Sequence, residues 1–244
     1  MLMVPMVNEV VTWVKGWADV YEQWAREGDI RAHRPCPAQG CDCRFRHRHG
    51  WVQRCVVCGG WEEEIRLLRL FCPKCGATET LLPEWLRRYS PYPWPWQEAA
   101  ALAYVGGPEG YRPVAARFSV DYTVLWGWVR PLAAIAVDLV GVVVRELLQQ
   151  EPGAELDLVP VAHGAVLYKA LTAEKRQGLA HLPLLAQAAE ALRTACRRRA
   201  KLPDGEAGGA WGWLSRYLPV HEISSALWLG SHRHSHSVSA PAPP

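Results

Sequence analysis

The chain has 244 residues, half of them hydrophobic, with 27 Lys and Arg against 24 Asp and Glu and a formal net charge of +3. That length and apolar content allow a buried core of one to three compact units and exclude a disordered protein. The sequence pI of about 8.4 is too mild for a global field aimed at nucleic acid or a membrane, so any such signal must be local.

The start, MLMVPMVNEVVTWVKGWADVYEQWAREGD, has no basic segment ahead of its apolar part and carries Glu9 and Lys15 within it, so it does not read as a signal peptide. Val7, Val10, Val11, Val14, Trp17, Tyr21 and Trp24 recur at three- and four-residue steps, which predicts an amphipathic docking helix within residues 1–30, ended by Gly28. Residues 31–82 turn to cysteine, arginine and short β-type runs. RHGWVQRCVV, a turn at Gly59-Gly60, and EEEIRLLRLF predict a hairpin. Residues 83–96, PEWLRRYSPYPWPW, carry prolines at 83, 91, 93 and 95, which predicts an extended aromatic linker and a domain boundary.

Residues 97–131 are alanine-rich, interrupted at Gly106-Gly107-Pro108, and fit three short helices. A long apolar helix follows from 132 to 150. Its most apolar run, Leu132 to Val144, is interrupted by Asp138, followed by Arg145 and shorter than the roughly 20 residues a bilayer needs, so no membrane span is expected. The region 132–230 reads as helical, with its apolar helix buried either in that region's own core or in a homodimer. The tail 231–244, SHRHSHSVSAPAPP, has a composition that cannot build a core and is expected to be disordered. The fold class is therefore α+β, mostly α.

Eight cysteines without a secretory signal place the chain in a reducing cytoplasm, where close pairs bind metal more often than they form disulfides. Cys72-Pro-Lys-Cys75-Gly76 has the two-residue spacing and trailing glycine of a metal-binding turn, and four thiolates close a tetrahedral zinc site. The partner half is open among three arrangements. Cys36 and Cys41 are preferred, because Cys36-Pro copies the opening of the second turn. Cys55 and Cys58 could replace them, or could form a second site with Cys43, His47 or His49. A site of four thiolates leaves no position for water, so the expected Zn2+ is structural.

YRPVAARFSVDYTVLWGWVR fits a helix-turn-helix. Val114, Ala115, Phe118, Leu125 and Trp128 face inward, Ser119-Val120-Asp121 forms the turn, and Asp121 caps the second helix. Tyr122, Thr123, Trp126 and Arg130 then point outward where a recognition helix would meet double-stranded DNA. Arg112 and Arg117 on the first helix complete the candidate contacts. The basic run with Arg31, Arg34, Arg44, Arg46, Arg48 and Arg54 could add phosphate contacts.

The order of a Cys-Pro turn, His-Gly-Trp, an Ile-Arg-Leu-Leu-Arg-Leu strand, Cys-Pro-Lys-Cys-Gly, Leu-Leu-Pro and a Pro-Tyr-rich stretch before the helix-turn-helix resembles a family of uncharacterised bacterial proteins with a zinc-ribbon domain of unknown function. Those proteins are similar to the N-terminal DNA-binding parts of insertion-sequence transposases. The resemblance covers roughly residues 34–131 and implies a zinc-stabilised DNA-binding module. Two features depart from it: the four residues between Cys36 and Cys41, and the additional pair Cys55 and Cys58.

No enzyme is expected. A carboxylate-class transposase needs acidic residues on a mixed sheet, whereas Asp138, Glu146, Glu155 and Asp157 sit in helical or loop sequence. His232, His234 and His236 lie in the tail, and no motif places a histidine beside Cys196. The function expected is that of a transcriptional regulator or a transposon-associated DNA-recognition protein. The rival is a protein-interaction module built on the ribbon and on Trp85, Tyr89, Tyr92, Trp94 and Trp96.

Overall fold

A computed structural model of the chain describes residues 7–27, 36–83, 85–154 and 173–200. Its elements run α1 (Val7–Glu27), β1 (His47–Cys58), β2 (Trp61–Phe71), β3 (Thr78–Thr80), α2 (Trp94–Gly106), α3 (Tyr111–Arg117), α4 (Tyr122–Gln150) and α5 (Ala173–Ala200). This is a mostly helical α+β arrangement around one small antiparallel sheet of order β1-β2-β3. The expected tail at 231–244, the end of the first helix at Gly28, and Arg31 and Arg34 lie outside the described residues. Among the described residues no helix is long and apolar enough to cross a membrane.

The hairpin forms where the sequence predicts it. β1 and β2 pair from His47 opposite Phe71 to Cys58 opposite Trp61, closed by Gly59-Gly60, with one irregularity between Arg48 and Gly50. β3 adds a short third strand, Thr78 facing Phe71 and Thr80 facing Arg69. On α1 the buried residues are Val10, Val14, Ala18, Tyr21 and Ala25, whereas Trp13 and Trp24 are about half exposed. The helix thus turns valines, alanines and Tyr21 inward and packs against the sheet. Tyr21 fixes that packing: its hydroxyl donates to the Leu81 carbonyl at 2.6 Å and accepts from the Leu68 amide at 3.1 Å. Burial raises the phenol above its ordinary pKa, so it stays protonated as a donor.

The segment 83–96 departs from the extended linker that its prolines predict. Trp85, Leu86, Trp94 and Trp96 are buried in the same apolar cluster as the sheet and α2. A bridge between Leu86 and Pro93 closes the segment into a loop. Arg54 pins that loop from β1, donating to the Arg87 and Ser90 carbonyls at 2.6 Å each. The prolines serve the helix that follows: Pro93 takes the N-cap position of α2 and Pro95 lies in its first turn, where no amide donor is needed.

α2, α3 and the first turns of α4 pack together. The Trp96 and Phe118 rings meet edge to face at 4.9 Å, and Tyr104 stacks on Tyr111 at 3.7 Å. α4 then continues through Pro131 as one 29-residue helix, so the second helix of the predicted pair and the predicted 132–150 helix are a single element. Its buried stripe, Leu132, Ala136, Leu139, Val143 and Leu147, runs along α5, whose Leu182, Leu185, Ala189 and Leu192 are buried in the same cluster. The stripe that the sequence could have offered to a dimer is covered within the chain.

Candidate metal centre and candidate nucleic-acid interface

Two turns flank the open end of the hairpin. The first, Cys36 to Cys41, precedes β1 and closes on itself through the Cys41 amide donating to Ala38 O at 3.0 Å. The second follows β2, with the Gly76 amide donating to Cys72 O and the Cys72 amide to Ala77 O, at 2.9 and 2.8 Å. Gly40 and Gly76 have φ of 77° and 74°, the left-handed region that lets each turn fold its thiols inward. Salt bridges from Lys74 to Asp42 and from Arg46 to Glu79 tie the first turn and its exit to the second turn and β3.

The sulfurs of Cys36, Cys41, Cys72 and Cys75 lie within 4.8 Å of one another, with Cys36 to Cys75 at 3.5 Å and Cys41 to Cys72 at 3.7 Å. A tetrahedral ion with Zn–S bonds of about 2.3 Å spaces its sulfurs about 3.8 Å apart. The cluster therefore fits a metal ion, and its donor set is compatible with zinc. None of the eight cysteines is in a disulfide. At Cys72 burial works to raise the thiol, but the Cys75 and Lys74 amides and the Cys75 and Cys43 thiols outweigh it and bring it down to about 6. At Cys36 the Ala38 amide pulls downward, while burial and the thiols of Cys75, Cys72 and Cys41 prevail and push it up to about 12. A metal ion bound here would displace the protons that the thiols carry.

The rival ligand pair is ruled out by the hairpin itself. Cys58 faces Trp61 at the closed end, and at about 3.3 Å per residue that end is about 35 Å from the open one. Cys55 donates to Glu62 Oε1 at 3.2 Å across the strands. Cys58 is fully buried, and burial pushes its thiol up to about 12, so it stays neutral. Among the described residues no second group of three metal-ligating side chains gathers around Cys43, His47 or His49. The sequence reading missed the Lys74–Asp42 and Arg46–Glu79 pairs; the only signal was a charge beside a cysteine at Asp42 and Lys74.

The outward residues of α4 are engaged with one another and with α3. Asp121 caps the helix, accepting from the Thr123 amide at 2.7 Å and from its hydroxyl. Those two donors hold the Asp121 carboxyl below its ordinary pKa, so the cap is charged at neutral pH. Tyr122 and Trp126 are 45 and 40% exposed. The Arg112 guanidinium lies over Tyr122 at 5.4 Å and Arg130 over Trp126 at 6.0 Å, and Tyr111 meets Trp126 edge to face at 4.8 Å. Arg117 is paired with Glu109 at 2.6 Å. Tyr111 was missed by the sequence reading, because nothing in the spacing separates it from a core aromatic. Leu125, Trp128 and Val129 hold the opposite face of these turns in the core.

The turn between the two helices is a Schellman motif. The Val120 amide donates to Ala115 O at 3.0 Å, the Ser119 amide to Ala116 O at 3.1 Å, and Ser119 sits at φ 51°. Of the five aromatics named for a protein-binding linker, Trp85, Trp94 and Trp96 are buried, Tyr92 meets Trp128 at 5.1 Å, and Tyr89 is exposed. Cys196 is half-buried on α5. Glu155, Asp157 and the tail histidines lie outside the described residues.

No family model, curated protein or solved structure matches the chain.

Proposed function

We propose that the chain is a zinc-stabilised reader of double-stranded DNA, acting as a transcriptional regulator or as the recognition part of a mobile element. The observation that carries this reading is the exposed start of α4. Two turns present Tyr122, Trp126 and Arg130 to solvent while Leu125, Trp128 and Val129 anchor the same turns in the core. The left-handed residue at Ser119, which ends α3 just ahead of the Asp121 cap of α4, supports reading the two as a helix-turn-helix pair. In the major groove, Trp126 and Tyr122 supply apolar contact to thymine methyl groups, and Arg130 and Arg112 reach phosphates or guanine edges. Zinc on Cys36, Cys41, Cys72 and Cys75 is structural, since four thiolates leave no coordination position for substrate.

The test is selection of bound sequences from a random duplex library, with zinc-loaded full-length protein beside a Trp126→Ala/Arg130→Ala double variant. Enrichment of one motif by the wild type and its loss in the variant is the expected result. No enrichment at low salt would refute DNA recognition.

A further inference from the structure

The hairpin is electrically polarised. Its closed end carries the exposed carboxylates Glu62, Glu63 and Glu64. The cysteine end carries five basic side chains, Arg44, Arg46, Arg48, Arg69 and Lys74, against two acidic ones. Pairing takes up both acids and two of the bases, Asp42 with Lys74 and Glu79 with the buried Arg46, and a zinc ion held by four thiolates would add two negative charges.

Aromatic rings are exposed among these cations. Phe45, two residues before β1, is 67% exposed. His49 stacks on Phe71 with centroids 5.5 Å apart and planes at 29°. The register places His47 directly opposite Phe71, and residues that face each other across strands point to the same side of a sheet. His49, two residues further along β1, stacks on Phe71 and so lies on that side as well. An apolar ring left in water between arginines gains nothing from folding, but it gains a stacking partner from an unpaired base.

We propose that this cysteine end of the hairpin is a second, independent nucleic-acid surface that binds single-stranded nucleic acid, with Phe45 and the His49–Phe71 stack as base platforms and Arg44 and Arg69 as phosphate contacts. The ligand is single-stranded because bases inside a duplex have both faces covered and cannot stack on protein rings. It is a polyanion because cations flank the exposed rings: Arg44 adjoins Phe45 in the chain, and Arg69 lies two residues from Phe71 on the same face of β2. The surface stands apart from the start of α4, so the proposal does not depend on the duplex-reading role given to that helix.

The experiment is fluorescence anisotropy with labelled oligo-dT and oligo-rU at low salt, using zinc-loaded full-length protein. A Phe45→Ala/His49→Ala variant, an Arg44→Gln variant and the Trp126→Ala/Arg130→Ala variant are compared, with zinc content measured for each. The expected result is binding by the wild type, about tenfold weaker in the Phe45/His49 variant and unchanged in the α4 variant. Arg44→Gln should also lower the slope of log affinity against log salt by about 0.7. The tighter of the two strands identifies DNA or RNA as the ligand. Failure of the wild type to bind either strand overturns the proposal. So does wild-type affinity in the Phe45/His49 variant at full zinc content. If that variant loses zinc, an unchanged salt slope in Arg44→Gln overturns it instead.

Discussion

Among the described residues, two that are not glycine have a left-handed backbone, Tyr89 and Ser119; Ser119 is the one that ends a helix. At φ 51° it occupies the left-handed C′ position of the turn after α3, with the Val120 and Ser119 amides closing the helix end. A residue with a Cβ pays about 1 kcal/mol there, and glycine does not. Ser119→Gly should therefore stabilise the protein by about 0.5–1 kcal/mol, the gain trimmed by glycine's larger unfolded-state entropy. A higher urea midpoint at unchanged slope is the readout, and a lower midpoint would mean that the serine hydroxyl, not the turn, sets the conformation. The place of this turn was legible in the sequence because Asp121 is a strong N-cap and Phe118 closes the preceding apolar face. Its handedness was not, since serine seldom marks a left-handed residue. The cysteines were legible for a similar reason: Cys-Pro, two-residue spacing and a trailing glycine have few other uses. The choice between ligand pairs depended on which end of the hairpin each cysteine occupies, and spacing alone does not encode that.

Prolines carried the misreadings at the scale of elements. The four prolines of 83–96 suggest an extended linker only if their neighbours face water. Here Trp85, Trp94 and Trp96 fill the core, and Pro93 and Pro95 start α2. Pro131 suggests the end of a helix, yet α4 runs through it. The carbonyl that the Pro131 ring crowds belongs to the residue four earlier, Gly127, whose backbone adjusts without a side chain in the way. α5 packs along α4, and the two helices come close together at Gly178. A Cβ there would stand 2.0 Å from the carbonyl oxygen of Ala133 on α4. Gly178→Ala should destabilise the protein by about 1–3 kcal/mol from the clash, even though alanine favours an isolated helix by about 1 kcal/mol. Thermal unfolding of the variant tests this. A raised midpoint would show that the two helices are not held as closely as the packing requires.

On the scale of the molecule, the four-cysteine cluster, which could hold a metal ion, and the apolar core share one sheet but lie toward different ends of it. Val56, Cys58, Ile65, Leu67, Leu68 and Leu70 are buried in a cluster that continues through α1, α2, α4 and α5. The strands therefore have a core beyond the metal, contrary to the usual situation of a small ribbon that is unfolded without its ion. The turns at 36–41 and 72–77 draw on that core least, since Cys75 and Gly76 are exposed. Chelation should then unfold locally. The amides of Cys36, Cys41, Cys72 and Gly76, which bond only within the turns and the segments beside them, should lose protection from hydrogen exchange. Those of Leu68 and Leu81, bonded to Tyr21 and across the sheet, should keep theirs, and far-UV helical signal should change little. Acidification should reproduce the effect: a metal ion is held by thiolates, so protons compete for the ligands, and the protection is present at neutral pH and lost as pH falls. Exchange measured residue by residue with and without chelator separates the two accounts, because loss of α4 and α5 protection together with the turns would mean that the metal supports the whole core.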